Sequence, residues 1–364
     1  MLSLLLACST HHSPAPESTA STAETPAEVA ITDPKATEEP ALTDPKQEEL
    51  RCAERCALNK KAEAASELRS ASMRDKLLIA HHIEQQCKQD CESSSKSIQP
   101  SETDKASMTI KGLSTPESVL YDAKLDRYLI SNINGDPTAK DGNGFISLLT
   151  ADSKLSTLIS STEQAKLHAP KGMGIQGNKL YIADIDVVHV YDARHSDFLY
   201  DVPIEGAEFL NDVVATETDV YVSDSATGQI HSIHPEGKSQ PEFADSLLPK
   251  LGKINGLARK GRHLLVTSDQ QLVRYHLSKK QLQIINIGAS QLDGIALGID
   301  DSAYVSSWET GTIYKVSNLD KEPTVEVVLE DLNTPADIGF DPKRNRLLVP
   351  LFKQDEVLLH PLSR

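Results

Sequence analysis

From about residue 107 to the C-terminus, apolar positions fall in short runs separated by polar turns, not in the 3.6-residue rhythm of a helix. The clearest runs are Tyr128-Leu129-Ile130-Ser131, Leu180-Tyr181-Ile182-Ala183, Val220-Tyr221-Val222-Ser223, Leu264-Leu265-Val266-Thr267, Ala303-Tyr304-Val305-Ser306 and Leu347-Leu348-Val349-Pro350. Each is preceded by one short strand and followed by a third, and most units carry a fourth. Four strands recurring about every 40 residues is the period of a propeller blade. The pattern therefore predicts an all-β fold, a six-bladed β-propeller over residues 107–364. The sixth unit ends after its third strand near residue 361. The stretch from Met108 to Gly112 is predicted to supply its fourth strand, closing the ring with no open edge.

The first hundred residues follow other rules. All 18 glycines lie at or after Gly112, and the first aromatic residue is Tyr121, so little before them can build a sheet core. Residues 47–93 lack Pro and Gly and are rich in good helix formers, with a capping box at Ser72-Met73-Arg74-Asp75. They predict a helical hairpin, roughly 47–69 and 73–93. Its cysteines pair at i,i+4 spacing, Cys52 with Cys56 and Cys87 with Cys91, each pair on one helix face. A turn near residue 71 puts Cys52 opposite Cys91 and Cys56 opposite Cys87, the expected disulfides of a hairpin too small to stand on its own core. The rival, a four-thiolate zinc site, needs a reducing compartment and usually shorter spacings. The hairpin resembles the twin Cys-x3-Cys hairpins of oxidising compartments.

Upstream, residues 9–46 are rich in Ser, Thr, Pro, Ala and Glu, the composition of a disordered linker, and residues 94–106 form a second linker. Residues 1–8 end in Leu5-Leu6-Ala7-Cys8, which resembles a bacterial lipobox remnant with Cys8 as the lipidation site. Ser9 resembles the sorting residue of outer-membrane lipoproteins. These features predict a lipid-anchored protein of the bacterial cell envelope, on the periplasm-facing outer membrane, touching the membrane through its lipid alone. The hairpin is then available to a protein partner.

The formal net charge of −16 argues against nucleic acid as a partner. No P-loop, nucleophile elbow, dinucleotide fingerprint or His-Glu-x-x-His helix occurs in the sequence.

In a propeller the innermost strands all begin at one mouth of the central channel, so equivalent residues of different blades converge there. Aligning the units puts Glu117, Lys171, Asn211, Asn255, Asp293 and Ala336 at that position. Two carboxylates and two amides suit a hard divalent cation, Ca2+ above all, with Zn2+ or Mg2+ as alternatives. The segments Pro116-Glu117-Ser118, Phe209-Leu210-Asn211-Asp212, Ile254-Asn255-Gly256-Leu257 and Leu292-Asp293-Gly294-Ile295 resemble the regucalcin/gluconolactonase (SMP-30-like) family. That family shares its Glu, Asn, Asn, Asp order on successive blades with paraoxonases and diisopropyl fluorophosphatases.

The resemblance implies that Glu117, Asn255 and Asp293 hold the metal, with Asn211 a fourth ligand or a substrate contact, and that Asp293 doubles as a catalytic residue in lactone or ester hydrolysis. Asn211 and Asp212 would contact substrate. Lys171 departs from the cation-binding pattern: its ammonium can repel a cation, stand in for one, hold an anionic substrate or stabilise an oxyanion.

The loop 134–143 is predicted on the same face, offering Asn134 and Asp136 to a ligand, as are Asp224, Asp269 and Trp308 at the ends of second strands. His168 is a candidate for the channel mouth. Two functions remain open: a metal-dependent hydrolase, or a non-catalytic envelope propeller that binds a ligand or a protein.

Overall fold

The computed structural model describes residues 106–234, 236–242 and 252–363, together with Ile79, Ile83, Gln85, Gln86 and Cys87. The chain divides into two units, Met1–Ile98 and Gln99–Arg364. In the first, the five described residues are helical, and Ile79 packs with the buried Ile83 and Cys87. The expected lipidation at Cys8, the 9–46 linker, the hairpin as a whole and the pairings Cys52–Cys91 and Cys56–Cys87 lie outside the described residues.

The second unit is an all-β propeller of six four-stranded antiparallel sheets. Blade 1 comprises Pro116–Asp122, Arg127–Asn132, Phe145–Thr150 and Leu155–Ser160, and blades 2 to 5 repeat the meander. Their inner strands are Met173–Gln176, Leu210–Ala215, Ile254–Lys260 and Leu292–Leu297. Blade 6 contributes Gly339–Asp341, Arg346–Leu351 and Glu356–Pro361, and its fourth strand is Met108–Lys111 from the other end of the unit. The register runs from Met108 opposite Leu359 to Lys111 opposite Glu356. The ring therefore closes as the strand pattern predicts.

Alternation along each strand explains the packing. Successive side chains point to opposite faces, and in a blade each face meets a neighbouring blade. On the second strand of blade 4, Leu264 and Val266 pack with Tyr221 and Ile230 of blade 3, whereas Leu265 packs with Leu292 and Val305 of blade 5. The six main core clusters sit one at each junction between consecutive blades.

The closing junction adds an ionic cluster to its apolar one. Tyr128 of blade 1 donates its hydroxyl to Asp341 of blade 6 at 2.5 Å, and Arg344 Nη1 reaches the same wholly buried carboxylate at 3.0 Å.

Candidate functional site

The inner strands of blades 1, 3, 4 and 5 break register at the same place. Pairing slips between Pro116 and Val119, Leu210 and Val213, Ile254 and Leu257, and Leu292 and Ile295. Two residues bulge from each ladder: Glu117-Ser118, Asn211-Asp212, Asn255-Gly256 and Asp293-Gly294. A bulge re-aims side chains, and here it lets neighbours in sequence serve opposite mouths of the channel.

Hydroxyls on the second strands fix these bulges. Ser118 N donates to Ser131 Oγ at 2.9 Å, Asp212 N to Ser223 Oγ at 3.0 Å, Gly256 N to Thr267 Oγ1 at 2.7 Å and Gly294 N to Ser306 Oγ at 2.8 Å. In blades 3 to 5 the same hydroxyl donates onward to the next ring position: Ser223 to the Asn255 carbonyl at 2.7 Å, Thr267 to that of Asp293, and Ser306 to that of Ala336 at 2.8 Å. Blades 2 and 6 carry Ala183 and Pro350 at the hydroxyl position. There the inner amide makes the link itself, Gly172 N to the Asn211 carbonyl at 2.8 Å and Asp337 N to that of Glu117 at 2.9 Å.

The cavity so built has a volume of about 350 Å3 and is lined by Glu117, Lys171, Asn211, Asn255 and Asp293, five of the six converging positions. Four of these residues leave a buried oxygen with no hydrogen-bond partner: Glu117 Oε2, Asn211 Oδ1, Asn255 Oδ1 and Asp293 Oδ1. A buried acceptor without a partner is costly, and here four of them, from four blades, line one cavity.

The electrostatics agree. Burial, and then the Asp293 charge, push the Glu117 carboxyl well above its ordinary value, with Lys171 pulling the other way. Burial, and then Asp212, push Asp293 up to about 8, while the Trp308 and Asn255 side chains draw it down. Among the described residues no group of three or more His, Cys, Asp or Glu side chains is arranged to hold a metal. Two of the four partnerless oxygens belong to amides, which such a group does not include.

Lys171 is 1% exposed. Its Nζ donates to the Ala169 carbonyl at 2.9 Å and lies 4.4 Å from the centre of the Phe209 ring. Burial pulls its pKa down, against the charges of Glu117 and Asp184.

Trp308 lines the same cavity with its ring 4.9 Å from that of Phe352. Asp269 is also in the wall. Other expected contacts lie elsewhere. Asp212 faces the opposite mouth, with Ser118 and Asp337, its carboxylate accepting from Leu257 N and Val213 N at 2.6 Å each. Asn134 and Asp136 are not in the wall: Asn134 bonds Ser114 and Asn143, and Asp136 caps Thr138, leaving Pro137 to face the cavity. Asp224 is fully buried and takes the amides of Glu208 and Phe209 at 2.8 and 3.1 Å, a structural use. His168 accepts from Gly142 N at 3.1 Å, shaping its loop.

The sequence reading missed Phe209, Lys253, Gln291 and Phe352, all in the wall. One signal was available. The residue just after each second strand is Ile133, Ile185, Ser225, Asp269, Trp308 or Phe352, and all but Ile185 line the cavity.

No family model matches the chain, and no curated protein matches it in sequence. Solved structures do match in fold. A gluconolactonase from Xanthomonas campestris is similar with a TM-score of 0.54 and 15% identity, over 71% of this chain and 89% of that one. Virginiamycin B lyase from Staphylococcus aureus gives 0.51 and 10%, over 71% of this chain and all of that one. A streptogramin B lyase gives 0.51 and 11%, over 70% and 98%. At these identities the likeness shows the six-bladed propeller fold.

Proposed function

We propose that the propeller holds one divalent cation, Ca2+ foremost, between Glu117, Asn211, Asn255 and Asp293, and that a small lactone or ester is hydrolysed beside it. The observation that carries the reading is the set of four partnerless buried oxygens from four blades in one cavity. A bound cation would satisfy all four, relieve the repulsion that raises Glu117 and Asp293, and act as a Lewis acid on the substrate carbonyl. Asp293 would stand next to the reacting carbon, and Lys171 would offer its ammonium to the developing oxyanion. Trp308 and Phe352 would form the apolar wall against which the substrate lies. In this reading Cys8 carries a lipid that holds the protein to the outer membrane of a bacterial envelope, and the disulfide-stapled hairpin is a spacer or a docking element.

A second reading is favoured by Lys171 itself. An ammonium in the ring can neutralise Glu117 without a metal, which suits a propeller that binds a ligand and does no chemistry. Calorimetry with Ca2+, Zn2+ and Mg2+, beside a panel of lactones and aryl esters, separates the two. The first reading expects one cation per chain, with binding and turnover both lost in Asp293→Asn and Glu117→Gln. A folded wild type that takes up no cation would overturn the site. A folded wild type that shows neither cation uptake nor turnover would leave the second reading standing, and cation binding without turnover would leave a cation site that does no hydrolysis.

A further inference from the structure

The four donors of the ring are crowded by a fifth group. Lys171 occupies on blade 2 the position that Glu117 occupies on blade 1, and both line the one cavity. Its ammonium sits deep in the site, 1% exposed, and cannot relax into solvent. Two contacts hold it, the Ala169 carbonyl at 2.9 Å and the face of Phe209 at 4.4 Å. Neither contact is anionic, and among the described residues no ion pair cancels its charge. Asp184, whose charge also acts on it, is committed to the amides of His168, Ala169 and Ile185. The field of Lys171 therefore falls on the ring whose cavity it shares.

We propose that Lys171 is a built-in counter-cation that sets the affinity of the ring, making the site a weak and reversible one for divalent ions. This rests on the reading of Glu117, Asn211, Asn255 and Asp293 as cation donors. With Lys171 protonated, the two carboxylates and the ammonium leave one net negative charge facing the ion; without it they leave two. Even at the effective dielectric of a protein surface, a unit charge several ångströms away changes dication binding by about tenfold or more. The same arithmetic weighs against trivalent ions most strongly, so removing the ammonium also widens the preference for higher charge. Lys171 is on this account a specificity-determining residue and not a ligand.

The chain contains a single tryptophan, Trp308, which stands in the wall of the cavity. Excitation of that indole sensitises Tb3+ luminescence only when the ion is close, so Tb3+ titration, with Ca2+ competing it off, reads this site alone. The experiment compares the full-length wild type with Lys171→Met, which removes the charge at similar length, and Lys171→Arg, which keeps it. Circular dichroism and thermal melting check that each is folded, and Lys171→Gln replaces Lys171→Met if that variant does not fold. The expected result is that Lys171→Met binds both ions at least about tenfold tighter, with a larger gain for Tb3+, and that Lys171→Arg stays near wild type. Equal affinity in all three, or tightening in Lys171→Arg as well, would overturn the counter-cation while leaving the ring as a cation site. If no folded variant gives a luminescence signal or competes with Ca2+, the ring itself is not a cation site, and the counter-cation falls with it.

Discussion

The hydroxyl of Ser223 on blade 3 donates to the backbone carbonyl of Asn255 on blade 4 at 2.7 Å, while accepting the amide of Asp212 on its own blade at 3.0 Å. One small side chain thus fastens a bulge and positions the neighbouring blade's ring residue. Thr267 and Ser306 repeat the arrangement. Removing such a hydroxyl leaves a buried amide and a buried carbonyl unpaired.

Ser223→Ala, Thr267→Val and Ser306→Ala should each lower unfolding free energy by about 1–3 kcal/mol. Ser223→Ala and Thr267→Val should also weaken cation binding, because they hold Asn255 and Asp293 in place. Ser306→Ala should weaken it less, since it holds Ala336, which offers no donor. Denaturant titration and Tb3+ affinity measured on the same three proteins check this. An equal effect on affinity in all three would mean that the hydroxyls act on the fold alone.

Four buried carboxyls along the channel make stability depend on pH. Burial and the neighbouring charges raise Glu117 and Asp337 well above the ordinary range, Asp212 to about 6 and Asp293 to about 8. A carboxyl raised in the folded state binds more protons folded than unfolded, so stability falls as pH climbs from about 4 to about 8. His189 adds to the slope. Burial alone would lower its pKa, but the carboxylates of Asp184 and Asp201 on either side of the ring raise it, so its contribution is full below 6.5 and fades as pH rises through the folded value. In chelator the melting temperature should therefore be about 5 °C or more higher at pH 5.5 than at pH 8. Saturating Ca2+ should close most of that gap by neutralising Glu117 and Asp293. A flat profile in chelator would refute the assignment of strain to this stack.

The architecture was legible because a propeller writes itself as a repeat. Apolar alternation at a fixed period gives the blades, and equivalent positions converge by symmetry, so the ring of Glu117, Lys171, Asn211, Asn255 and Asp293 could be drawn before any coordinates. What the alignment could not show was direction at the bulge. Asn211 and Asp212 are neighbours, yet the slip between Leu210 and Val213 sends them to opposite mouths. The loop 134–143 failed for another reason. Asn134 and Asp136 satisfy their own loop through Ser114, Asn143 and Thr138, which is what short polar side chains in turns usually do. Phe209 was hidden because a lone aromatic residue just before an inner strand carries no motif, whereas Phe352 could have been read from its place just after a second strand, the position Trp308 holds on blade 5.

Close approach of the inner strands depends on glycine where the bulges meet. A Cβ built on Gly294 overlaps the amide nitrogen of Ile338 and sits 2.6 Å from the Asp337 Cα, both backbone atoms that cannot rotate away. Gly256 is in the same position against the backbone of Asp293 and Gly294. Gly294→Ala should cost about 1–3 kcal/mol or more by forcing blades 5 and 6 apart. Because Asp293 is the adjacent residue, cation affinity should fall with it. A wild-type melting temperature in Gly294→Ala, measured by scanning calorimetry, would show that the axis is looser than these contacts require.

The junction that closes the ring adds to its apolar cluster an ionic one built on a wholly buried carboxylate. Asp341 is fully buried on blade 6 and takes the Tyr128 hydroxyl from blade 1, with Arg344 Nη1 at 3.0 Å and Arg346 Nε at 3.4 Å. Arg344 continues to Asp126 of blade 1 at 2.8 Å, so the cluster ties the last blade to the first. Asp341→Ala would remove the buried carboxylate that Arg344 and Arg346 share in the seam, leaving Arg344 its Asp126 pair. Breaking a buried pair from one side costs about 3–5 kcal/mol, whereas Tyr128→Phe removes one hydroxyl and should cost about 1–2 kcal/mol. Blade 6 is also where the first and last strands of the propeller pair, Met108–Lys111 against Glu356–Pro361. Asp341→Ala should accordingly raise hydrogen exchange first in Met108–Lys111 and Glu356–Pro361, before blades 3 and 4 respond. Uniform loss of protection around the ring would instead mean that the propeller opens as a single unit and that no junction is its latch.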